Sequence, residues 1–94
     1  MRTTDQVVLN PSGLHARPAA MFVRTAAGFV SRITLENLDR ETAPIDAKSI
    51  LAVMGSGVSK GHRIRLTADG ADEDAAIETL EAFIASGMGE TLPG

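Results

Sequence analysis

The chain has 94 residues, 44% of them hydrophobic, and nine Lys and Arg against twelve Asp and Glu leave a net charge of −3; this suits one packed domain, 1–94, with no room for a second core. Scattered cations, three Phe, and no Tyr, Trp or Cys argue against nucleic acid as a partner and remove disulfides, thiolate catalysis and Cys-ligated metals. No apolar stretch approaches the ~20 residues of a membrane span, and the first residues lack an apolar leader, so a cytoplasmic protein without membrane insertion is expected.

Gln6-Val7-Val8-Leu9 reads as a first strand, ended by the turn Asn10-Pro11-Ser12-Gly13. From Ala16 the apolar residues Ala19, Phe22, Val23 and Ala26 recur at helical spacing, with Gly28 as the stop. Pro18 falls in the first turn, where a missing N–H is harmless, and so marks the helix start. Ile33 and Leu35 alternate with Arg32, Thr34 and Glu36 as a second strand. The chain returns through Thr42-Ala43-Pro44-Ile45, a third strand that Pro44 confines to a sheet edge. Asp46 is placed to cap a short helix, Ala47 to Met54, ended by Gly55-Ser56-Gly57. Arg63 to Thr67 alternates as a fourth strand. Asp72-Glu73-Asp74 opens a last helix with Ala76, Ile77, Leu80, Phe83 and Ile84 as its core face, and 87–94 reads as a frayed tail. The order β-α-β-β-α-β-α predicts an α+β fold, a four-stranded antiparallel sheet with three helices on one face and water on the other.

This order puts His15 where the polar turn becomes helix, next to backbone N–H groups that have no intrahelical partner and at the positive end of the macrodipole. An imidazole there can offer a ring lone pair as a nucleophile, and Arg17 adds a planar cation two residues on. A transient phosphate on the ring would be an anion at the same helix end. Helix-end terms of roughly 0.3–2 kcal/mol tune such a state without locking it, as a carrier needs. A surface histidine or a weak cap fits the position too, and position alone leaves the choice open. A metal site has less support, because His62 is the only other histidine and no acidic cluster lies near His15 in sequence. Hydrolysis lacks a triad partner.

The run Gly13-Leu14-His15-Ala16-Arg17-Pro18-Ala19-Ala20 resembles the active-site signature of HPr, the histidine-containing phosphocarrier family of the bacterial sugar phosphotransferase system, and Asp46-Ala47-Lys48-Ser49-Ile50-Leu51-Ala52-Val53-Met54 resembles that family's regulatory-serine segment. Chain length and element order agree, so the resemblance covers nearly everything before Gly87. It implies an open-faced β-sandwich of HPr type that is not itself an enzyme. Enzyme I, charged by phosphoenolpyruvate, would phosphorylate Nδ1 of His15, and the group would pass to the IIA component of a sugar permease. Arg17 matches the family's phosphate-stabilising arginine, Ser12 lies at a position beside the phosphate, and the N–H groups of Ala16 and Arg17 would face it. No cofactor or metal is expected, and the protein is expected to act as a monomer.

Ser49, at the start of the short helix, would be phosphorylated by the HPr kinase/phosphorylase and read by a transcription regulator, or else would only cap free amides. That helix carries more apolar residues than one face can bury, so Ile50, Leu51 and Met54 are candidates for a partner-docking patch, with core packing as the plain alternative. The connection from Glu36 to Asp46 is a few residues longer than usual in the family. His62 reads as solvent-exposed and unrelated to transfer. Two other roles keep the fold: a carrier, or a Ser49-dependent regulator, in a dedicated nitrogen or dihydroxyacetone relay. A ligand-binding ferredoxin-like module would need a Gly-rich cleft that the sequence lacks.

Overall fold

The computed structural model describes residues 1–90. It runs β1 (Arg2–Val7), α1 (Ala16–Ala27), β2 (Arg32–Asn37), β3 (Ile45–Asp46), α2 (Ile50–Gly55), β4 (Arg63–Asp69) and α3 (Glu73–Ala85). The four strands form one antiparallel sheet in the order β1-β4-β2-β3, with the three helices packed on one face. Burial alternates along the inner strands as their side-chain period requires: Ile33, Leu35, Ile64, Leu66 and Ala68 point into the core, while Arg32, Thr34, Arg63, Arg65 and Thr67 stay at least partly in water. The core closes around Phe22, Ala19 and Ala26 from α1, Val53 from α2, and Ala76, Ile77, Leu80 and Ile84 from α3. Val23 and Phe83 are only partly buried against it.

The sheet departs from the sequence reading at its edges. β1 spans Arg2–Val7 rather than Gln6–Leu9, and pairs with β4 from Arg2↔Ala68 to Val7↔Arg63. Its early residues are polar because the strand is an edge whose stability comes from cross-strand pairs. Asp5 lies opposite Arg65 and accepts from its Nε at 2.8 Å and its Nη2 at 3.0 Å. That hydrogen-bonded pair holds the Asp5 carboxyl below the usual carboxylate range. β3 begins only after Pro44: Leu35 pairs with Ile45 and Thr34 with Asp46. The long connection before it closes on Asn37, whose N–H donates to Thr42 Oγ1 at 2.9 Å while the Thr42 N–H donates back to the Asn37 carbonyl at 3.2 Å. Thr42 and Ala43 therefore lie outside the strand.

The short helix also starts later than Ala47. Asp46 is used as a strand residue and turn anchor: its carboxylate accepts the Lys48 N–H at 2.9 Å and its carbonyl the Ser49 N–H at 3.1 Å. Ser49 is the N-cap, with extended backbone and its Oγ accepting the Ala52 N–H at 3.3 Å. Asp72 stands at the N-cap position of α3 but does not cap it. Its carboxylate instead accepts from Val30 N–H (2.9 Å), Ser31 N–H (2.9 Å) and Ser31 Oγ (2.5 Å), fastening the turn between α1 and β2.

Residues 87–90 are held in place rather than frayed. Gly87, Met88 and Gly89 all have left-handed φ, at 91°, 52° and 84°. The Met88 N–H reaches back to the Phe83 carbonyl at 3.1 Å, and the Met88 side chain is fully buried. This is a Schellman-type helix end with its hydrophobic contact. The remainder of the stretch expected to fray, 91–94, lies outside the described residues. His62 is not a free surface residue either. Its Nδ1 accepts the Ser59 N–H at 3.1 Å and lies 3.2 Å from Asn37 Nδ2, and the residue is half-buried in the turn before β4. The ring nitrogen fills an acceptor position that the turn backbone leaves open.

Candidate functional site

The turn that leads into α1 is held from three sides. The Gly13 N–H donates to the Asn10 carbonyl at 3.1 Å, and Asn10 Nδ2 donates to the Gly13 carbonyl at 3.0 Å. Gly13 has φ +60°, and a Cβ there would overlap the Val58 carbonyl oxygen and sit 2.8 Å from Ser59 Cα, so glycine is needed for both conformation and close approach. The Leu14 N–H donates to that same carbonyl at 3.0 Å, and the Leu14 side chain is fully buried. The turn is thereby fastened to the loop that follows α2.

His15 follows as the N-cap of α1, with extended backbone (φ −125°, ψ 158°), and its side chain does not cap the helix. Among the described residues its half-exposed ring makes no hydrogen bond, so both ring nitrogens are available to a partner. Ala16 enters the helix at φ +50°, a left-handed angle that a non-glycine residue adopts only at a cost of order 1–3 kcal/mol and that clusters at functional sites. The Ala16 and Arg17 N–H groups are the first of the helix and have no intrahelical acceptor; Pro18, buried in the first turn, has no N–H to offer. Arg17 is exposed and, among the described residues, carries no hydrogen bond or ion pair. The structure therefore brings together one unengaged imidazole, two unengaged amides and one unengaged guanidinium. That set suits a phosphoryl group on the ring, whose charge of about −1.5 to −2 would meet donors that need no prior disengagement.

Ser12 differs from this pattern. Its N–H and Oγ are both engaged, at 3.0 and 2.8 Å, by the two carboxylate oxygens of Glu90. Glu90 Oε1 also accepts from Asn10 Nδ2 at 2.9 Å. These three donors, the Asn10 amide first, hold the Glu90 carboxyl below its ordinary range. Sequence reasoning misses Glu90 because the glycine-rich segment after α3 reads as a loose tail. The signal that could have found it is Gly87-Met88-Gly89, glycines flanking one apolar residue just past a helix end, which marks a left-handed cap with a buried contact.

The segment 46–54 runs from the end of β3 into α2, which packs against α1. Ser49 is half-buried at the helix start. Ile50, Leu51 and Met54 are 38, 81 and 39% exposed, which makes a small apolar patch on a helix whose Val53 alone is buried. Lys48 Nζ donates to the Phe29 carbonyl at 2.6 Å, so this cation ties the segment to the end of α1. Arg40, from the long β2–β3 connection, lies over Gly57 (φ +68°) just past α2, where a Cβ would overlap its guanidinium.

An open-faced α+β sandwich with a half-exposed, unengaged histidine at a strained helix start defines a class of small domains with a four-stranded antiparallel sheet covered by three helices on one face. Residues 3–86 match the family described as "PTS HPr component phosphorylation site". The chain is 48% identical over 88 residues to a multiphosphoryl transfer protein of Escherichia coli O157:H7, covering 94% of this chain and 23% of that protein. Among solved structures it superimposes on an HPr of Thermoanaerobacter tengcongensis with TM-score 0.91 and 43% identity, covering 98% of this chain and all of that one. An HPr of Bacillus anthracis str. Ames gives TM-score 0.82 and 34% identity, covering 88 and 95%. The chain belongs to the HPr family of phosphocarriers of the phosphotransferase system. It spans about a fifth of the length of the curated relatives it matches.

Proposed function

We propose that this domain accepts a phosphoryl group on Nδ1 of His15 from enzyme I charged by phosphoenolpyruvate and hands it to the IIA component of a sugar permease. The Nδ1 lone pair attacks phosphorus, the bond from phosphorus to the donor group of enzyme I breaks with its electron pair returning to that group, and the His15 ring keeps its Nε2 proton. The N–H groups of Ala16 and Arg17 and the Arg17 guanidinium stabilise the anion, with Ser12 beside it. The observation that carries this reading is the His15 ring itself, half-exposed and, among the described residues, unengaged at a helix end whose other donors are equally free. The domain works as a single copy in the cytoplasm, with no cofactor, as a carrier rather than a catalyst. Incubation with enzyme I and phosphoenolpyruvate should give an acid-labile phosphate that is absent from His15→Ala. A wild-type protein that takes no label defeats the carrier reading.

Ser49 is proposed as the second phosphorylation site, for an HPr kinase/phosphorylase, with a transcription regulator reading the product. Its Oγ already accepts an amide at the start of α2, so a phosphate there meets the positive helix end without unfolding it. The added charge sits next to Ile50, Leu51 and Met54, the patch proposed to dock enzyme I, where like charge and desolvation oppose association. Ser49→Asp is expected to slow phosphorylation of His15, and an unchanged rate would remove this role.

A further inference from the structure

The segment after α3 is built to deliver one carboxylate. The left-handed run Gly87, Met88 and Gly89 turns the chain back on itself, and the strained Met88 is held there by a fully buried side chain. Gly89 passes so close to Met21 of α1 that a Cβ would lie 3.1 Å from its Sδ and Cε. The Glu90 N–H then donates to the Gly87 carbonyl at 2.9 Å, which sets where the side chain starts. From that point both carboxylate oxygens reach the turn 10–13, on Asn10 Nδ2, Ser12 N–H and Ser12 Oγ.

Asn10 is the hub of this contact. It is fully buried; Nδ2 donates to the Gly13 carbonyl and to Glu90, and Oδ1 has no partner among the described residues. With Oδ1 already unsatisfied and one Nδ2 hydrogen held by the Gly13 carbonyl, loss of Glu90 would leave the other Nδ2 hydrogen unpaired as well, and the turn would move to satisfy it. Movement there bears on His15 directly. The ring has no hydrogen bond of its own among the described residues, so its aim is inherited from the backbone of the turn before it and of Ala16 after it.

We infer that Glu90 is a positioning residue for phosphoryl acceptance: its carboxylate clamps Asn10 and Ser12 and so holds His15 in line for an incoming phosphoryl group. This rests on the carrier role of His15. The clamp acts through hydrogen bonds rather than through charge, since a nearby negative charge alone would oppose the phosphate.

The test compares wild type, Glu90→Ala and Glu90→Gln in single-turnover transfer from phosphorylated enzyme I at saturating concentration, with thermal unfolding and hydrogen exchange of the Ser12 amide measured on the same samples. Glu90→Ala should remain folded, lose protection at Ser12 and transfer about tenfold more slowly, within the ~100-fold that a 1 Å misplacement can cause. Gln keeps an oxygen for Asn10 Nδ2 and the Ser12 N–H, and should restore most of the rate and the protection. A Glu90→Ala protein as fast as wild type or faster overturns the clamp, as does a Gln variant as slow as Ala. A wild-type protein that takes no phosphate overturns the carrier role and the clamp with it, whereas normal wild-type transfer beside an unaffected Glu90→Ala overturns the clamp alone.

Discussion

Replacing Gly13 by Ala separates two effects that the structure superimposes two residues before His15. The left-handed φ of +60° alone costs an L-residue roughly 1–2 kcal/mol. The new Cβ would also overlap the Val58 carbonyl oxygen and crowd Ser59 Cα at 2.8 Å, both backbone atoms that cannot swing aside. Displacing that carbonyl stretches its bond from the fully buried Leu14 N–H, and a buried unpaired donor costs about 1–3 kcal/mol. The total is about 3 kcal/mol, and each kcal/mol lowers the melting temperature of a domain this size by about 4–8 °C, so a fall of about 12–24 °C is expected. Two further glycines calibrate the measurement. Gly61 has φ +90° but open space where a Cβ would stand, so its Ala variant should lose only the conformational part, about 1–2 kcal/mol. Gly55 lies in α2 with no neighbour within 4 Å, and Ala there should be neutral or gain up to about 1 kcal/mol. Urea unfolding of the three variants gives the ranking. Equal losses at Gly13 and Gly61 would refute the argument from close approach, and a Gly13→Ala loss below about 1 kcal/mol would refute the argument from φ as well.

Other expectations can be checked with the same methods. Asp72, held below the usual carboxylate range first by the Ser31 hydroxyl and then by the Val30 N–H, stabilises the fold at any pH above its unfolded value near ~3.9 and loses that contribution as pH falls through its lower folded value. Asp72→Asn should therefore be less stable than wild type at pH 7, with the gap closing in strongly acid urea titrations; a gap independent of pH would contradict the assignment. Arg17→Ala, which removes an exposed side chain unpaired among the described residues, should change stability by no more than about 0.5 kcal/mol while slowing phosphorylation of His15 in the enzyme I assay. Ser49→Ala removes the cap of α2 and should cost about 1 kcal/mol in chemical unfolding, whereas Ser49→Asp keeps a capping oxygen and should cost less. Phe22→Ala, a fully buried aromatic in the centre of the core, should lose about 3–5 kcal/mol by calorimetry or urea, a large part of the 5–15 kcal/mol that holds such a domain together.

Local pattern is enough to read α1, β2, β4 and α3, because each buries one face and its apolar residues repeat at the element's own period. Pro18 locates the start of α1, and with it the place of His15, for the same kind of local reason: a residue without an N–H belongs where none is bonded. The polar residues Arg2 to Gln6 carry no such pattern, since an edge strand is held by its neighbour's backbone and by pairs such as Asp5–Arg65 that only the register reveals. The start of α2 is ambiguous in sequence because Asp46 and Ser49 are both good caps; the pairing of Asp46 with Thr34 across the sheet leaves the cap to Ser49.

At the site, His15, Arg17 and the first amides of α1 are near neighbours in the chain, so their association follows from the sequence and the rules of helix ends. Glu90 is 78 residues from Ser12 along the chain, and its contact exists only because Met88 is buried in the core and turns the chain back over Met21. Short-range backbone chemistry determined where His15 stands; long-range packing decided what holds the turn beneath it.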